Sequence, residues 1–168
     1  MELSIIDLSL VPAKGDRRQA VKNSLETAQQ AEKWGYKRIW FAEHHGSAGI
    51  VGRAPEVMIP FIAAQTKTIR VGSGTVLLNH YSPYKVAENF SAMEEMFPGR
   101  IDMGIGRATV GPLGDLALQR NRSFRQMTDD SDEQLLELTH WLNNDFDTQH
   151  PFRKWTLHHQ GIPELWIS

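Results

Sequence analysis

The chain has 168 residues, 40% of them hydrophobic and 23% charged, with a formal net charge of −2 and no cysteine. That balance fits one soluble globular domain over residues 1–168; it excludes disulfides, thiolate metal sites and the basic clusters by which a non-specific nucleic-acid binder displaces counterions. No apolar run approaches the roughly 20 residues of a membrane span, and Met1-Glu2-Leu3-Ser4 lacks the basic region and cleavage site of a signal peptide, so a cytoplasmic protein without membrane or nucleic-acid partners is expected.

Leu3 to Leu10 is apolar and β-branched enough for a first strand, stopped by Pro12 and Gly15. Asp16 is placed to cap a helix over Arg17 to Trp34, in which Ala20, Leu25, Ala28, Ala31 and Trp34 recur at helical spacing and Gly35 supplies a left-handed stop. A second strand spans Arg38 to Ala42. Pro55 opens a helix reaching about Thr66, and Ile69 to Leu78 forms a third strand whose glycines mark a tight bend or close approach by a ligand. A helix over Tyr84 to Met96 and a turn at Pro98-Gly99-Arg100 lead to a fourth strand, Ile101 to Arg107. Gly111 to Asp130 reads as polar and irregular. A fourth helix, Asp132 to Asn143, carries Leu135, Leu138 and Leu142 on one face; Asp145 to Gln160 reads as loop, and Pro163 to Ser168 opens a fifth strand. Strands and helices thus alternate with short turns, the pattern of parallel strands joined by crossover helices.

The second strand ends in an ionisable cluster, Glu43-His44-His45, before Gly46-Ser47-Ala48-Gly49. Ionisable residues delivered at the carboxyl end of a buried strand are how α/β proteins build sites. An imidazole there can give or take a proton near neutral pH; equally, such a cluster can satisfy only its own hydrogen bonds. Zinc is disfavoured, because no third histidine or carboxylate stands at ligand spacing. Gly104-Ile105-Gly106-Arg107 fails the dinucleotide fingerprint, since Thr109 occupies the third glycine position; it is better read as a strand end presenting an arginine. His80, His140, His150, His158 and His159 are expected in loops or at the surface, and the five tryptophans in packing roles.

With these strand ends in view, the sequence resembles the bacterial luciferase-like monooxygenases. The likeness rests on F-A-E-H-H (41–45), V-G-S-G-T-V-L-L-N-H-Y-S-P (71–83), V-A-E-N-F (86–90), F-P-G-R-I-D-M-G-I-G-R (97–107) and P-E-L-W-I-S (163–168). Members are flavin-dependent (β/α)₈ TIM barrels that use reduced FMN and O₂ or, in some branches, F420. A complete barrel typically needs about 250 residues. The expected fold is therefore an amino-terminal half barrel: about four βα units plus the start of strand five.

The resemblance implies that His44 handles protons beside the flavin, with His45 and Glu43 holding its tautomer and orientation. It implies that Gly72-Ser73-Gly74-Thr75 forms the floor under the ring, with a non-prolyl cis peptide at Gly74-Thr75, and that Arg107, after Gly106, binds the FMN phosphate. The family's second phosphate-binding arginine has no clear equivalent here, Arg122 and Arg125 being the arginines nearby, and Glu88 is expected to brace the barrel or a dimer contact. The implied activity is oxygenation of a small organic substrate such as an aldehyde, with a flavin reductase supplying FMNH₂. F420-dependent hydride transfer and a non-catalytic flavin-binding or assembly role are the alternatives. A half barrel leaves two sheet edges and an apolar interior face open, so a homodimer or pairing with a complementary barrel half is expected.

Overall fold

The computed structural model describes residues 2–118 and 130–168. Its strands are β1 (Ser4–Asp7), β2 (Arg38–Phe41), β3 (Arg70–Ser73), β4 (Val76–Leu77), β5 (Ile101–Gly106) and β6 (Glu164–Ile167). The helices are α1 (Arg17–Lys33), α2 (Pro55–Ala63), α3 (Pro83–Met96), α4 (Pro112–Leu118) and α5 (Ser131–Asn143). All strand pairs are parallel: β1 lies on β2, β2 on β3, and β5 receives β3, β4 and β6. The result is the curved sheet of a partial (β/α) barrel, with the crossover helices on one face.

Alternation along the strands divides two faces. Ile5, Ile39, Val71 and Ile101 stand in register across four strands. With Phe41, Met103 and Ile105 they pack against Ile59 and Ile62 of α2, Val86, Phe90 and Met93 of α3, and Leu138 and Trp141 of α5. The opposite face, which lines the barrel interior, carries Arg38, Trp40, Asp102 and Trp166. Trp40 and Trp166 meet edge to face at 5.2 Å, and the Arg38 guanidinium lies 4.5 Å from the Trp166 ring. Asp102, fully buried, accepts from Arg38 Nε at 3.1 Å, Trp40 Nε1 at 2.8 Å and Arg70 Nε at 2.7 Å.

Helix signals translate directly. The Asp16 carboxylate accepts from the Gln19 amide at 2.8 Å, and Gly35 adopts φ +77° just beyond the C-cap. Trp34, however, is 73% exposed: as the C-cap residue it has left the apolar stripe, and Ser24 is buried on α1 instead. Trp155 is likewise 64% exposed. The first strand stops at Asp7 rather than Leu10, because Ser9 turns left-handed (φ 55°) and its amide donates to Asp7 Oδ1 at 2.7 Å. The expected third strand is two strands, broken by a cis Gly74–Thr75 peptide. Across that break Ser73 Oγ donates to the Gly104 carbonyl and accepts from the Gly104 amide, each at 2.9 Å, filling the gap in the ladder to β5.

The stretch after Gly111, expected to be irregular, contains α4. Pro112 opens it, but none of its residues is buried, so it carries no apolar stripe that a periodicity argument could detect. The loop over 145–160 includes a short 3₁₀ turn at Pro151–Lys154. Arg122 and Arg125 lie outside the described residues.

Candidate functional site

Because every strand pair is parallel, the chain segments following β2, β4, β5 and β6 emerge at one end of the barrel. His44 and Arg107 therefore share that end. The segment after β2 is held by its backbone: the His44 amide donates to the Gly52 carbonyl at 2.8 Å, and the Gly52 amide returns to the Leu8 carbonyl at 3.3 Å. Successive side chains of this extended segment point apart. Glu43 turns inward, its side chain fully buried, whereas His44 is exposed.

Glu43 makes three hydrogen bonds at this end. Its Oε1 lies 2.6 Å from His45 Nε2 and accepts from the Tyr81 hydroxyl at 2.7 Å; its Oε2 accepts from the Leu77 amide at 2.9 Å. The carboxylate thus ties the segment after β2 to β4 and to the start of the loop before α3. This corrects the expectation that Glu43 and His45 would hold His44. They hold each other and Tyr81, because alternation sends residues 43 and 45 to one side and residue 44 to the other.

Sequence reasoning missed two neighbours. Burial pushes the Tyr81 phenol above its ordinary range, reinforced by its hydrogen bond to Glu43 and by the charges of Glu43 and Glu56. Tyr81 is therefore a permanent donor at neutral pH. Burial also raises the carboxyl of Glu56, in the first turn of α2; its own backbone amide opposes this, the charge of Glu43 adds to it, and His45 offsets part. Tyr81 stands within the 71–83 motif, but nothing in the sequence pattern sets it against Glu43, 38 positions earlier. His80, expected in a loop or at the surface, lies in the short 3₁₀ turn Leu78–His80 between β4 and α3, with its side chain fully buried and Nε2 at 3.6 Å from Asp115 Oδ1 of α4.

Small residues shape the wall beside this cluster. A Cβ on Gly74 would stand 3.1 Å from Trp40 Cβ, and one on Gly104 would overlap the Ser73 carbonyl oxygen. One on Gly106 would collide with Thr75 Oγ1 and lie 2.9 Å from Ser168 Oγ. The backbone overlap requires glycine at Gly104, and any side chain at Gly74 or Gly106 would force Trp40, Thr75 or Ser168 to shift. Beyond them opens a cavity of about 320 Å³ lined by Leu78, Asn79, Ile105, Gly106, Arg107, Leu135, Ile167 and Ser168, with Ser131 and Asp132 of α5. Arg107 is exposed at its rim, immediately after β5. The lining mixes the apolar Leu78, Ile105, Leu135 and Ile167 with the Arg107 guanidinium, the Asn79 amide, the Ser131 and Ser168 hydroxyls and the Asp132 carboxylate; the guanidinium, amide and hydroxyls among them can donate to an anionic group. Glu88 is not part of this wall; it accepts from Lys85 Nζ at 2.6 Å on the outer surface of α3.

The profile of the luciferase-like monooxygenases matches residues 1–166. The chain is 42% identical over 153 residues to the N-acetyl-S-alkylcysteine monooxygenase of Bacillus subtilis (strain 168), covering 90% of this chain and 45% of that protein. Among solved structures, apo-MsnO8 superposes with a TM-score of 0.86 at 39% identity, over 99% of this chain and 48% of its own. The oxygenating constituent of 3,6-diketocamphane monooxygenase from the CAM plasmid of Pseudomonas putida, in complex with FMN, shares the fold, with a TM-score of 0.73 at 24% identity over 98% of this chain and 44% of its own. The chain spans about half the length of the curated relatives it matches. Sequence profile, relatives and fold agree: this chain belongs to the luciferase-like monooxygenase family.

Proposed function

We propose that this chain provides one wall of a site for reduced FMN in a monooxygenase that transfers an oxygen atom from O₂ to a small organic substrate. The observation that carries the reading is the cavity at the carboxyl ends of the parallel strands, where Gly106 and Arg107 stand beside Asn79 and Ser168, in a member of this family. The fit is physical. Arg107, with Asn79 and Ser168 beside it, matches a phosphate; Gly74 and Gly106 let the strands close up beside the cavity, since a Cβ on either would meet Trp40, Thr75 or Ser168.

Bound reduced flavin would supply the electrons that activate O₂. The residues of this chain do the rest of the work on this side of the site. Arg107 would hold the phosphate. The strand ends beside Gly74 and Gly106 would lie against the ring and keep water from it. His44, exposed and fixed through its backbone to Gly52, gives or takes a proton at an imidazole nitrogen. A flavin reductase would deliver FMNH₂, and an aldehyde is one substrate class of suitable size.

Titration of reduced FMN under anaerobic conditions, followed by flavin absorbance and fluorescence, tests the reading; F420 is titrated in parallel. Saturable FMN binding is expected, weakened about tenfold or more by Arg107→Ala, as loss of a charge-assisted phosphate contact implies. Equal binding by wild type and variant, or saturation by F420 but not FMN, would overturn it.

A further inference from the structure

We propose that Tyr81, Glu43 and His45 form a hydrogen-bonded relay that fixes His45 as its Nε2–H tautomer, leaving Nδ1 as the proton-accepting atom of that ring. Tyr81 is the member no sequence motif announces, and it acts as a positioning residue. The argument is one of donor and acceptor counting at a buried carboxylate. The Leu77 amide can only donate, and it occupies Oε2 at 2.9 Å. The Tyr81 hydroxyl approaches Oε1 at 2.7 Å. His45 Nε2 approaches the same oxygen at 2.6 Å, and a lone pair on that nitrogen would face the lone pairs of the carboxylate. The nitrogen aimed at Glu43 must therefore carry the hydrogen.

Three elements meet in this relay: the segment after β2, the amide of Leu77 in β4, and the loop before α3. Burial raises the phenol above its ordinary range, so it stays protonated beside Glu43, whose carboxylate is held from three sides by Tyr81, His45 and the Leu77 amide. Glu56 of α2 completes the surroundings; its carboxyl, raised mainly by burial, adds little competing negative charge beside Glu43 when protonated. His45 keeps 18% of its side chain exposed, so the ring is anchored on one side and open on another. The consequence is a division of labour between neighbouring imidazoles: His44 is exposed, and His45 has a fixed tautomer and orientation. As a proton-handling device at the flavin, the relay rests on the function proposed above; as a statement about the ring's resting state, it does not.

Imidazole ¹⁵N–¹H correlation spectra of the labelled full chain, without flavin, test the resting state directly. His45 signals are assigned by their loss in His45→Gln. At a pH where the ring is neutral, an Nε2–H pattern is expected, with a downfield Nε2 proton that exchanges slowly with water. Glu43→Leu is expected to collapse that pattern to a tautomer mixture. Tyr81→Phe is expected to retain the tautomer while accelerating exchange of the Nε2 proton about tenfold or more. An Nδ1–H pattern in the wild type would overturn the proposal even if neither variant folds, and unchanged exchange in a folded Tyr81→Phe would remove Tyr81 from the relay. None of these outcomes depends on flavin binding, so failure here and failure of the FMN titration are distinguishable.

Discussion

Asp102 concentrates more polar contacts than any packing role needs. A buried carboxylate with two guanidiniums and an indole N–H on it is stable only as a set, because each partner left alone becomes an uncompensated group in a poorly hydrated interior. Arg38 and Arg70 retain only 13% and 17% of their side-chain exposure, and Glu164 reaches Arg70 at 3.1 Å from β6. Asp102→Ala should therefore destabilise the fold by about 3–5 kcal/mol, measured by urea denaturation, with Trp40 and Trp166 fluorescence reporting the same loss. A cost below about 1 kcal/mol would mean that water already screens the cluster. At this level of detail the sequence was half legible. Glu43, His44 and Arg107 stand at strand ends, where an alternating pattern announces them. Tyr81 does not, since its contact with Glu43 joins residues 38 positions apart and depends on how β4 leaves the bend.

Elements were more legible than their junctions. Helix α1 was marked by its cap and small-residue stripe, and β5 by its apolar run. The break at Gly74–Thr75 was suggested by the family likeness, not by strand propensity, which reads Ile69 to Leu78 as continuous. The short α4 gave no periodic signal because it buries nothing. A junction that no pattern foretells is the turn from α2 into β3, which α1 holds from the side. Glu32 Oε1 accepts from the amides of Lys67, Thr68 and Ile69 at 2.8, 2.6 and 3.0 Å. Partial burial raises its carboxyl, but these amides and the Thr68 hydroxyl outweigh that effect and hold it at about 2, against 4.5 when free. Since the folded value lies below the unfolded one, the stabilisation is complete above about pH 4.5 and is lost as pH falls toward 2. Glu32→Gln should lower stability by about 1 kcal/mol near neutral pH, discounted because the carboxylate is largely open to water. The gap in Tm between wild type and variant should narrow steadily below pH 4.5. A gap independent of pH would assign the effect to packing.

Taken as a whole, the described sheet has no partner strand on the outer edge of β1 or of β6. Its interior face and edges also leave large apolar side chains in water: Ile6 is 59% exposed, Leu10 62% and Ile167 65%. The chain spans about half the length of the curated relatives it matches, and over these 168 residues the side chains just named are exposed. Unpaired strand edges template further pairing, and contiguous apolar surface drives association. The 168-residue polypeptide should accordingly self-associate: light scattering after size exclusion should give a mass of at least twice the 19.1 kDa of one chain. Ile167→Lys places a charge on the outer strand, where pairing would bury it, and should shift the distribution toward the monomer without loss of helical circular dichroism. A monodisperse, folded 19.1 kDa species in the wild type would contradict the argument, because it would require the exposed interior of the half barrel to be stable in water unaided.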